Sequence, residues 1–462
     1  MKTPSSTKRY CIIGAGACGI AVVKNFKQRG IPFDCFEREA DIGGIWNPAS
    51  PHVVYETTHL NTSKRLTRYL DFPMPAEYPQ FLSRRQANDY IQSYARHFGL
   101  HDCITFNTEV VKVERDGGRW LVTIKGEPGP RVYDGLVVAN GHHWDPKFPE
   151  YPGSFTGESL HTHEMKTREQ LAGKRVLVVG AGNSGCDIAA DAANLSRTVL
   201  HSMRRTYHFL PKFIFGRPLD VIIDLTQRWP LPRKLLRSMY EGALYILVGP
   251  HEKYGLPKPD HRLLEAHPSS ASAYLDHLAH GRITVKPDVE RLDGRMVAFR
   301  DGSREEVDMI VWATGFNLTF PFMPREYFVR EDGSSPLFLN VVHREIDNLF
   351  CVGLVQPAEG SFWQLADYQA RMIASFVVGQ EIAPDKVGWF RSLKASASPS
   401  LDHGVTYVDS ERHKLEVQHY RYRTYIRKLL KRFGGLASAP WPSAAPRAEM
   451  PAAAREKLEL AS

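Results

Sequence analysis

The sequence predicts an α/β fold built from two similar parallel-sheet domains, with the second domain inserted into the first. Two observations lead to this prediction. A Gly-rich turn that follows a short apolar strand and precedes a helix occurs twice, at Gly14 and at Gly180. A hairpin and a closing apolar strand follow each turn at nearly equal offsets, and the chain then continues far enough to return to the first domain.

The first Gly-rich turn spans residues 14–19 (GAGACG) and lies between an apolar run at 10–13 and a helical pattern. In this arrangement Gly14 allows the tight turn, Gly16 lets a pyrophosphate approach the backbone, and Gly19 lets the helix pack on the strand. The helix N terminus then presents N–H groups to the phosphates. The second strand ends in Glu37, where a carboxylate can bind the hydroxyls of a ribose.

The second unit begins with the apolar strand 175–179 and continues into residues 180–185 (GAGNSG) and an Ala-rich helix. The repeat indicates two Rossmann-like dinucleotide-binding domains of the three-layer ββα type, and two such sites suggest a pair of redox cofactors that exchange electrons. A Pro-rich segment at 145–153 is typical of a domain crossing. The expected boundaries are 1–165 and 316–436 for the first domain, 166–315 for the inserted domain, and 437–462 for a disordered tail.

The second unit carries a sign of which nicotinamide cofactor it binds. Its second strand, 197–202, is not followed by the acid that would select an unphosphorylated ribose, and Arg204 and Arg205 come next. An arginine at this place can bind a 2′-phosphate through two hydrogen bonds, which favours NADPH. The residues alone do not choose between the two arginines.

Composition limits the range of partners and compartments. The formal net charge of +8 favours anionic ligands, but the single dense basic run near the C terminus argues against nucleic-acid binding. Six cysteines without a CxxC pair predict buried thiols and a reducing cytoplasm. The polar N terminus does not predict a signal peptide, and no apolar stretch is long enough to span a bilayer.

The basic run itself has helical periodicity. Tyr422, Ile426, Leu429 and Phe433 form one apolar stripe, and lysines and arginines surround it. This pattern predicts a helix whose apolar face packs on the body of the protein. A weak association of the same helix with a membrane surface is the alternative. A homodimer is a further open interpretation.

Four further motifs together resemble the flavin-containing monooxygenases, flavoproteins that oxygenate nitrogen and sulfur centres in small molecules. The motifs are Phe155-x-Gly157-xxx-His161, the GGIW run at 43–46, the NTSK run at 61–64 followed by DFPMP at 71–75, and the ATGF run at 313–316. The resemblance covers about Lys8 to Gln380, and the combination is specific to the family although no single motif is.

The resemblance implies that the first motif binds FAD and the second binds NADPH. It further implies that NADPH reduces the flavin, that the reduced flavin captures O2 as a C4a-hydroperoxyflavin, and that one oxygen atom passes to an amine or a sulfide in a small molecule. The cofactor residues that this resemblance and the two motifs indicate are Gly14, Gly16, Cys18, Gly19, Glu37, Gly44, Ile45, Trp46, Asn61, Thr62, Gly180, Gly182, Ser184, Gly185, Arg204 and Arg205.

Asn61 is the predicted catalytic residue. By resemblance it lies where the flavin meets the nicotinamide, and its amide can both donate and accept a hydrogen bond. The alternative is an asparagine that caps the turn after it. His161 is a marker of the family motif, and a structural role at the domain crossing explains it as well as a chemical one. No metal site is expected.

One position departs from the family pattern and keeps alternatives open. The motif that contains His161 usually ends in an aromatic residue four positions later, and this chain has Met165. The substrate class is therefore open, and a Baeyer–Villiger ketone monooxygenase is the first alternative. A flavin disulfide reductase would need a redox cysteine pair, which the sequence lacks. A non-enzymatic redox sensor that binds NADP and FAD is the alternative from another class.

Overall fold

Parallel strands form two separate sheets, one in each predicted domain. The computed structural model describes residues 8–270, 272–357, 360–396, 399, 407–408 and 414–441. The predicted α/β class, with two Rossmann-like parts and the second inserted into the first, is confirmed.

The first domain is built on a seven-stranded sheet whose centre is the strand Tyr10–Ile13. This strand is apolar at all four positions and completely buried, because helices cover one face of the sheet and a small antiparallel sheet covers the other. The strands in sheet order are Leu337–Phe338, Val342–His343, Leu349–Cys351, Gly135–Val138, Tyr10–Ile13, Phe33–Phe36 and Ile104–Thr105, and the last five are parallel. The small sheet has the strands Val110–Asp116, Arg119–Ile124 and Arg131–Tyr133.

The chain returns to complete this first domain, as the sequence predicts. The helix Phe362–Ile382 packs on the helix Gly19–Arg29, and Asn25 donates a hydrogen bond of 3.1 Å to the Asp367 carboxylate. Gly30 ends the first helix in the left-handed conformation. The other α-helices of this domain are Lys64–Thr67, Arg84–His97, Pro384–Ala395 and His419–Phe433.

The inserted domain has a five-stranded parallel sheet with a four-stranded sheet packed against it. Its α-helices are Asn183–Leu195, Leu219–Thr226, Arg233–Leu247 and Ser272–Ala279. The parallel sheet, in order, is Thr284–Lys286, Thr198–Ser202, Arg175–Val179, Met309–Trp312 and Glu158–His161. The second sheet is Arg304–Glu306, Met296–Phe299, Val289–Gly294 and Gly153–Phe155.

Short elements complete the fold. Two-stranded pairs join Phe213–Ile214 to Arg217–Pro218 and Gln356–Pro357 to Glu416–Val417. The 3-10 turns are Gly44–Trp46, His101–Cys103, Arg168–Leu171, His251–Tyr254, Arg325–Tyr327 and Gly434–Ala437.

The two crossings between the domains run side by side. Pro146 and Phe316 form an antiparallel bridge, flanked by hydrogen bonds from Lys147 N–H to the Gly315 carbonyl at 3.0 Å and from Asn317 N–H to the Asp145 carbonyl at 2.8 Å. The strands Gly153–Phe155 and Glu158–His161, which follow the outward crossing, both pair with strands of the inserted domain.

The C-terminal helix packs on the first domain, as its apolar stripe predicts. Tyr422, Ile426, Leu429 and Phe433 are buried in the core of that domain. The packed chain extends past the predicted start of the tail at residue 437, since Trp441 is 4% exposed and its N–H donates to the Arg29 carbonyl at 2.7 Å. The rest of the predicted tail lies outside the described residues. Among the helices of the described chain, none is long and apolar enough to cross a membrane.

Candidate active site

One cavity of about 1700 Å³ is lined by residues of both domains. The first domain contributes Trp46 and Asn61, and the inserted domain contributes Gly180 and Arg204. The structure therefore brings the predicted catalytic asparagine and the second Gly-rich turn to one shared space. The predicted residues that line it are Ile45, Trp46, Asn61, Thr62, Gly180, Gly182, Ser184, Arg204 and Arg205.

Asn61 lies on the cavity wall in the turn that precedes the helix Lys64–Thr67. Its side-chain amide makes no hydrogen bond to the described part of the chain, and the helix begins at Ser63 without a side-chain cap. The alternative prediction, in which this amide caps the turn, is therefore wrong. An amide without an intramolecular partner on a cavity wall is available to a ligand as both donor and acceptor.

The first Gly-rich turn has the backbone conformation that its glycines predict. Gly14 has φ +98°, and a Cβ there would lie 2.6 Å from the Ala139 carbonyl oxygen. A Cβ on Gly19 would overlap the Gly14 carbonyl oxygen, so the strand and the helix can approach each other only without side chains. The backbone N–H groups of Gly16 and Cys18 find no acceptor among the described residues, which leaves them available to an anion.

Glu37 stabilises this turn from the end of the second strand. One carboxylate oxygen accepts the N–H of Ala15 at 2.6 Å and the other accepts the N–H of Glu39 at 3.0 Å. Burial raises the pKa of Glu37, and the two N–H donors oppose that shift. Each oxygen keeps a further lone pair, so the carboxylate has acceptor capacity left for ribose hydroxyls.

The first Gly-rich turn lies next to the cavity without forming its wall. The Gly43 N–H donates to the Ala15 carbonyl at 3.3 Å, and a Cβ added to Gly44 would lie 3.3 Å from the Gly16 Cα. The segment 43–46 thus lies beside the first Gly-rich turn, and its residues Ile45 and Trp46 line the cavity. The predicted cofactor residues that do not line the cavity are Gly14, Gly16, Cys18, Gly19, Glu37, Gly44 and Gly185.

Trp46 provides a test of whether this wall fits a flavin. The ring packs edge-to-face on Trp363, with centroids 5.6 Å apart, and both rings line the cavity. The Trp46 Nε1–H is buried and has no acceptor in the described chain. That nitrogen has almost no accessible surface, so a ligand in the cavity meets the ring surfaces of Trp46 and Trp363 and not this donor. Two ring surfaces suit a planar aromatic ligand, and the residues present fit a flavin in this respect.

The second Gly-rich turn opens into the cavity. Gly180 has φ +111°, and a Cβ on Gly185 would overlap the Gly180 carbonyl oxygen. Gly182 is the N-cap residue of the helix Asn183–Leu195. The first N–H groups of this helix lie at the cavity wall, where a phosphate would accept from them.

Arg204 and Arg205 differ in their partners. Arg205 Nε donates to the Asp260 carboxylate at 2.7 Å, whereas Arg204 is exposed and has no ion-pair partner in the described ranges. Both line the cavity. An arginine without a partner is the one that a 2′-phosphate can bind without breaking an existing ion pair.

His161 and Met165 are both completely buried. The His161 N–H donates to the Glu164 carboxylate at 2.7 Å, its Nδ1 accepts the N–H of His163, and burial lowers its pKa to about 4. Met165 belongs to the apolar core of the inserted domain and does not line the cavity. The departure from the family pattern at this position is thus a packing change, which acts on the cavity only indirectly.

The histidines and cysteines do not form a recognisable metal site. Residues His52 and His163 stack with a distance of 3.1 Å between Nδ1 and Nε2, but no group of three or more metal-ligating side chains occurs within the described residues. All six cysteines are free thiols.

A comparison with models of protein families identifies the family of this chain. The model of the family described as flavin-binding monooxygenase-like matches residues 7–436. The chain belongs to this family. The match covers both Gly-rich turns and the motif residues between them, so the flavin-binding monooxygenase assignment applies to the whole two-domain body.

Relatives of this monooxygenase are identical to it at about one third of the aligned positions. "Flavin-containing monooxygenase 5" of Rattus norvegicus is 31% identical over 432 residues, which cover 88% of this chain and 80% of the relative. "Dimethylaniline monooxygenase [N-oxide-forming] 2" of Rattus norvegicus is 34% identical over 388 residues, with coverages of 79% and 72%.

Two solved structures show that the fold is shared with monooxygenases of different chemistry. "S-allyl-L-cysteine S-oxygenase from Allium sativum" has a TM-score of 0.62 at 20% identity and covers 99% of this chain and 92% of its own. Cyclohexanone monooxygenase in an open form has a TM-score of 0.62 at 19% identity, with coverages of 92% and 98%. At these identities the likeness concerns the fold alone.

Several residues of this monooxygenase cavity could not be predicted from the sequence. Trp363, Phe81 and Asp220 line the wall near Asn61, and they come from three distant segments. None belongs to a motif with a local spacing signal, since only the packing of the inserted domain on the first brings them together. Lys212 also lines the cavity, with its ammonium group 5.2 Å from the centre of the Phe81 ring.

Proposed function

We propose that this monooxygenase uses NADPH and FAD to oxygenate an amine or a sulfide in a small molecule. The observation that carries the proposal is the Asn61 amide, which has no hydrogen-bond partner among the described residues and lines the same cavity as the second Gly-rich turn. A nicotinamide donor and an oxygenation site must lie next to each other, and a cavity shared by two nucleotide-binding domains meets that requirement.

The residues assign one cofactor to each domain. The N–H groups of the first Gly-rich turn and Glu37 would hold the FAD pyrophosphate and ribose, and Trp46 would contact its ring system. The N–H groups after Gly180 would hold the NADP pyrophosphate, and Arg204 would bind the 2′-phosphate. The bound flavin supplies the redox chemistry and the reaction with O2.

The chain itself would position and protect the reacting groups. The Asn61 amide can donate to one partner and accept from another, which fixes the relative position of two ligands in the cavity. The apolar rings of Trp46, Trp363 and Phe81 on the wall exclude water from this end. We assign Asn61 the catalytic role because its amide lines the same cavity as these rings and has no hydrogen-bond partner within the described residues.

The name of one relative supports an amine as substrate. A protein that is 34% identical to this chain is named as N-oxide-forming. The S-oxygenase and the cyclohexanone monooxygenase share the fold with equal TM-scores and do not decide between a sulfide and a ketone. Because Met165 does not line the cavity, its replacement of the family aromatic gives no independent support to a ketone substrate. We place the protein in the cytoplasm, since its six free thiols fit a reducing compartment.

A purified sample tests the proposal directly. We expect a yellow protein that consumes NADPH faster than NADH and incorporates one atom of ¹⁸O from O2 into a tertiary amine or a thioether, detected by mass spectrometry. Conversion of a cyclic ketone to a lactone, with no amine or sulfide product, would instead establish the Baeyer–Villiger alternative. A protein that binds NADP but never consumes O2 would establish the redox-sensor alternative.

The role of Asn61 has its own test. In Asn61→Ala we expect flavin to remain bound and to be reduced by NADPH, while hydrogen peroxide replaces most of the oxygenated product. The matched control is Asn194→Ala, because Asn194 is exposed on the helix Asn183–Leu195 and does not line the cavity. Unchanged product yield in Asn61→Ala would remove Asn61 from the mechanism.

A further inference from the structure

A helix of the inserted domain is bound to the turn that carries Asn61. The helix is Leu219–Thr226, and its second residue, Asp220, lines the cavity. One Asp220 carboxylate oxygen accepts the N–H of Ser63 at 2.6 Å, and the other accepts the N–H of Val221 at 2.8 Å. Asp220 therefore joins its own helix N terminus to a backbone donor in the other domain.

The Ser63 donor is distinctive within its segment. The neighbouring N–H groups of Leu60 and Lys64 donate to backbone carbonyls of the same domain, at Leu82 and Gln80, both at 2.8 Å. Ser63 N–H is instead bound by a carboxylate that arrives from the inserted domain. A hydrogen bond to a charged acceptor is stronger than one between neutral groups, so this contact is a firm restraint on the turn.

The side chains of Asn61 and Thr62 do not fix the position of the turn. The Asn61 amide has no partner within the described residues, and the Thr62 hydroxyl bonds the Thr67 hydroxyl at 2.8 Å. The Lys64 ammonium group does anchor the end of the turn, since it donates to the carbonyls of Ala76 at 2.8 Å and Tyr78 at 2.7 Å. The backbone position of Asn61 is thus set by that anchor and by the backbone bonds at Leu60, Ser63 and Lys64.

The helix that carries Asp220 is itself held at its other end. Asp224, one turn later, forms a buried ion pair of 2.6 Å with Arg423 of the C-terminal helix. The Arg423 guanidinium also donates to Gln364 at 3.4 Å. The helix is therefore fixed to the first domain at two successive turns, which gives the Asp220 carboxylate a defined position relative to Asn61.

We propose that Asp220 is a positioning residue for Asn61, which holds the Asn61 turn from the inserted domain so that the amide faces the reacting groups. This inference rests on the proposed role of Asn61. According to this inference the inserted domain has two roles. It binds its own cofactor, and it also sets the position of the catalytic amide in the first domain. Asp220 acts through Asn61 and needs no contact with the substrate.

A double-mutant cycle tests the inference. The variants are Asp220→Ala, Asn61→Ala and the double variant, and the measured quantity is the rate of oxygenated product formation per bound flavin. Small displacements of a catalytic group are costly, so we expect Asp220→Ala to lower this rate about tenfold when Asn61 is present. In the Asn61→Ala background the same change should have no further effect, because the group that it positions is gone.

Two further measurements separate positioning from general loss of structure. Hydrogen–deuterium exchange of the peptide that contains Ser63 should become faster in Asp220→Ala, while flavin content and melting temperature stay close to those of the parent. Asp220→Asn keeps one acceptor for the Ser63 N–H and should restore most of the rate of product formation. The control is Asp301→Ala, whose carboxylate accepts the N–H of Ser303 at 2.9 Å in an exposed turn outside the cavity.

The outcomes distinguish this inference from the proposed function. If Asp220→Ala lowers the rate of product formation by the same factor with and without Asn61, Asp220 does not act through Asn61 and the inference is overturned. If Ser63 exchange is unchanged in Asp220→Ala, the contact does not restrain the turn, and the inference is overturned as well. If Asn61→Ala alone leaves product yield unchanged, the proposed role of Asn61 fails first.

Discussion

Arg205 donates from Nε to the Asp260 carboxylate at 2.7 Å, and the residue before it, Arg204, has no such partner in the described chain. Arg204→Ala should therefore raise the KM for NADPH by about 10- to 100-fold, as expected for losing a charged hydrogen bond worth about 1.5–3 kcal/mol. The KM for NADH should not change, because NADH lacks the 2′-phosphate. Arg205→Ala is the matched control and should have a smaller effect. Equal effects of the two changes on NADPH would contradict the assignment.

Gly185 should tolerate no side chain. A Cβ there would overlap the Gly180 carbonyl oxygen, so Gly185→Ala must move the helix away from its strand and disturb the N–H groups at its start. We expect a loss of NADP⁺ affinity of at least tenfold by calorimetry, with flavin still bound in the other domain. Gly388→Ala is the control, since Gly388 lies within the helix Pro384–Ala395 with no atom within 4 Å of a new Cβ. That change should be neutral or stabilise by about 1 kcal/mol.

Asp187 should make folding stability depend on pH. Burial raises its pKa to about 6, against an ordinary value of 3.8, although Lys212 and a hydrogen bond of 3.2 Å from the Tyr55 hydroxyl oppose the shift. The folded state then binds the proton more tightly than the unfolded state, so stability falls as pH rises from about 4 to 6, and the cost is complete above pH 6.

Removing that charge should stabilise the protein at neutral and alkaline pH. Asp187→Asn should add stability on the order of 1–2 kcal/mol at pH 8 and little at pH 4, as measured by melting temperature across the pH range. The control is Asp276→Asn on an exposed helix position. A gain of the same size at pH 4 and pH 8 would mean that the Asp187 charge is not the cause.

The buried ion pair between Asp224 and Arg423 should be costly to break on one side. Asp224→Ala leaves a buried guanidinium without its main partner, and we expect a loss of about 3–5 kcal/mol in the free energy of unfolding by urea titration. The double change Asp224→Leu with Arg423→Met removes both charges and should recover most of that loss. If the double variant is as unstable as Asp224→Ala, the unpaired charge of Arg423 is not the cause of the instability.

Sequence patterns predicted the parts of this fold that local geometry determines. Gly14 and Gly180 were identified because a strand, a tight turn and a helix need glycines at fixed spacing, and both turns have the expected positive φ. The apolar stripe through Tyr422 and Ile426 was predicted to be buried because a helix of that pattern has one apolar face. These signals are contained within about twenty residues of chain.

The remaining features depend on contacts between distant segments. No local spacing could indicate that Asp220 binds Ser63, or that Asp260 and not a nearer residue binds Arg205. The two strands between 153 and 161 also lack a local signal, because they are short and pair with strands that come much later in the chain. Hydrophobic periodicity indicates which face of a helix or strand is buried, but it does not identify the segment that packs against that face.

The bridge between Pro146 and Phe316 places both ends of the inserted domain next to each other. A domain whose two ends lie next to each other can be replaced by a homologous domain without a change in the backbone of the first domain. Exchange of residues 147–315 with the corresponding segment of a relative is thus geometrically simple, and it offers a route by which cofactor preference could be transplanted between enzymes of this architecture.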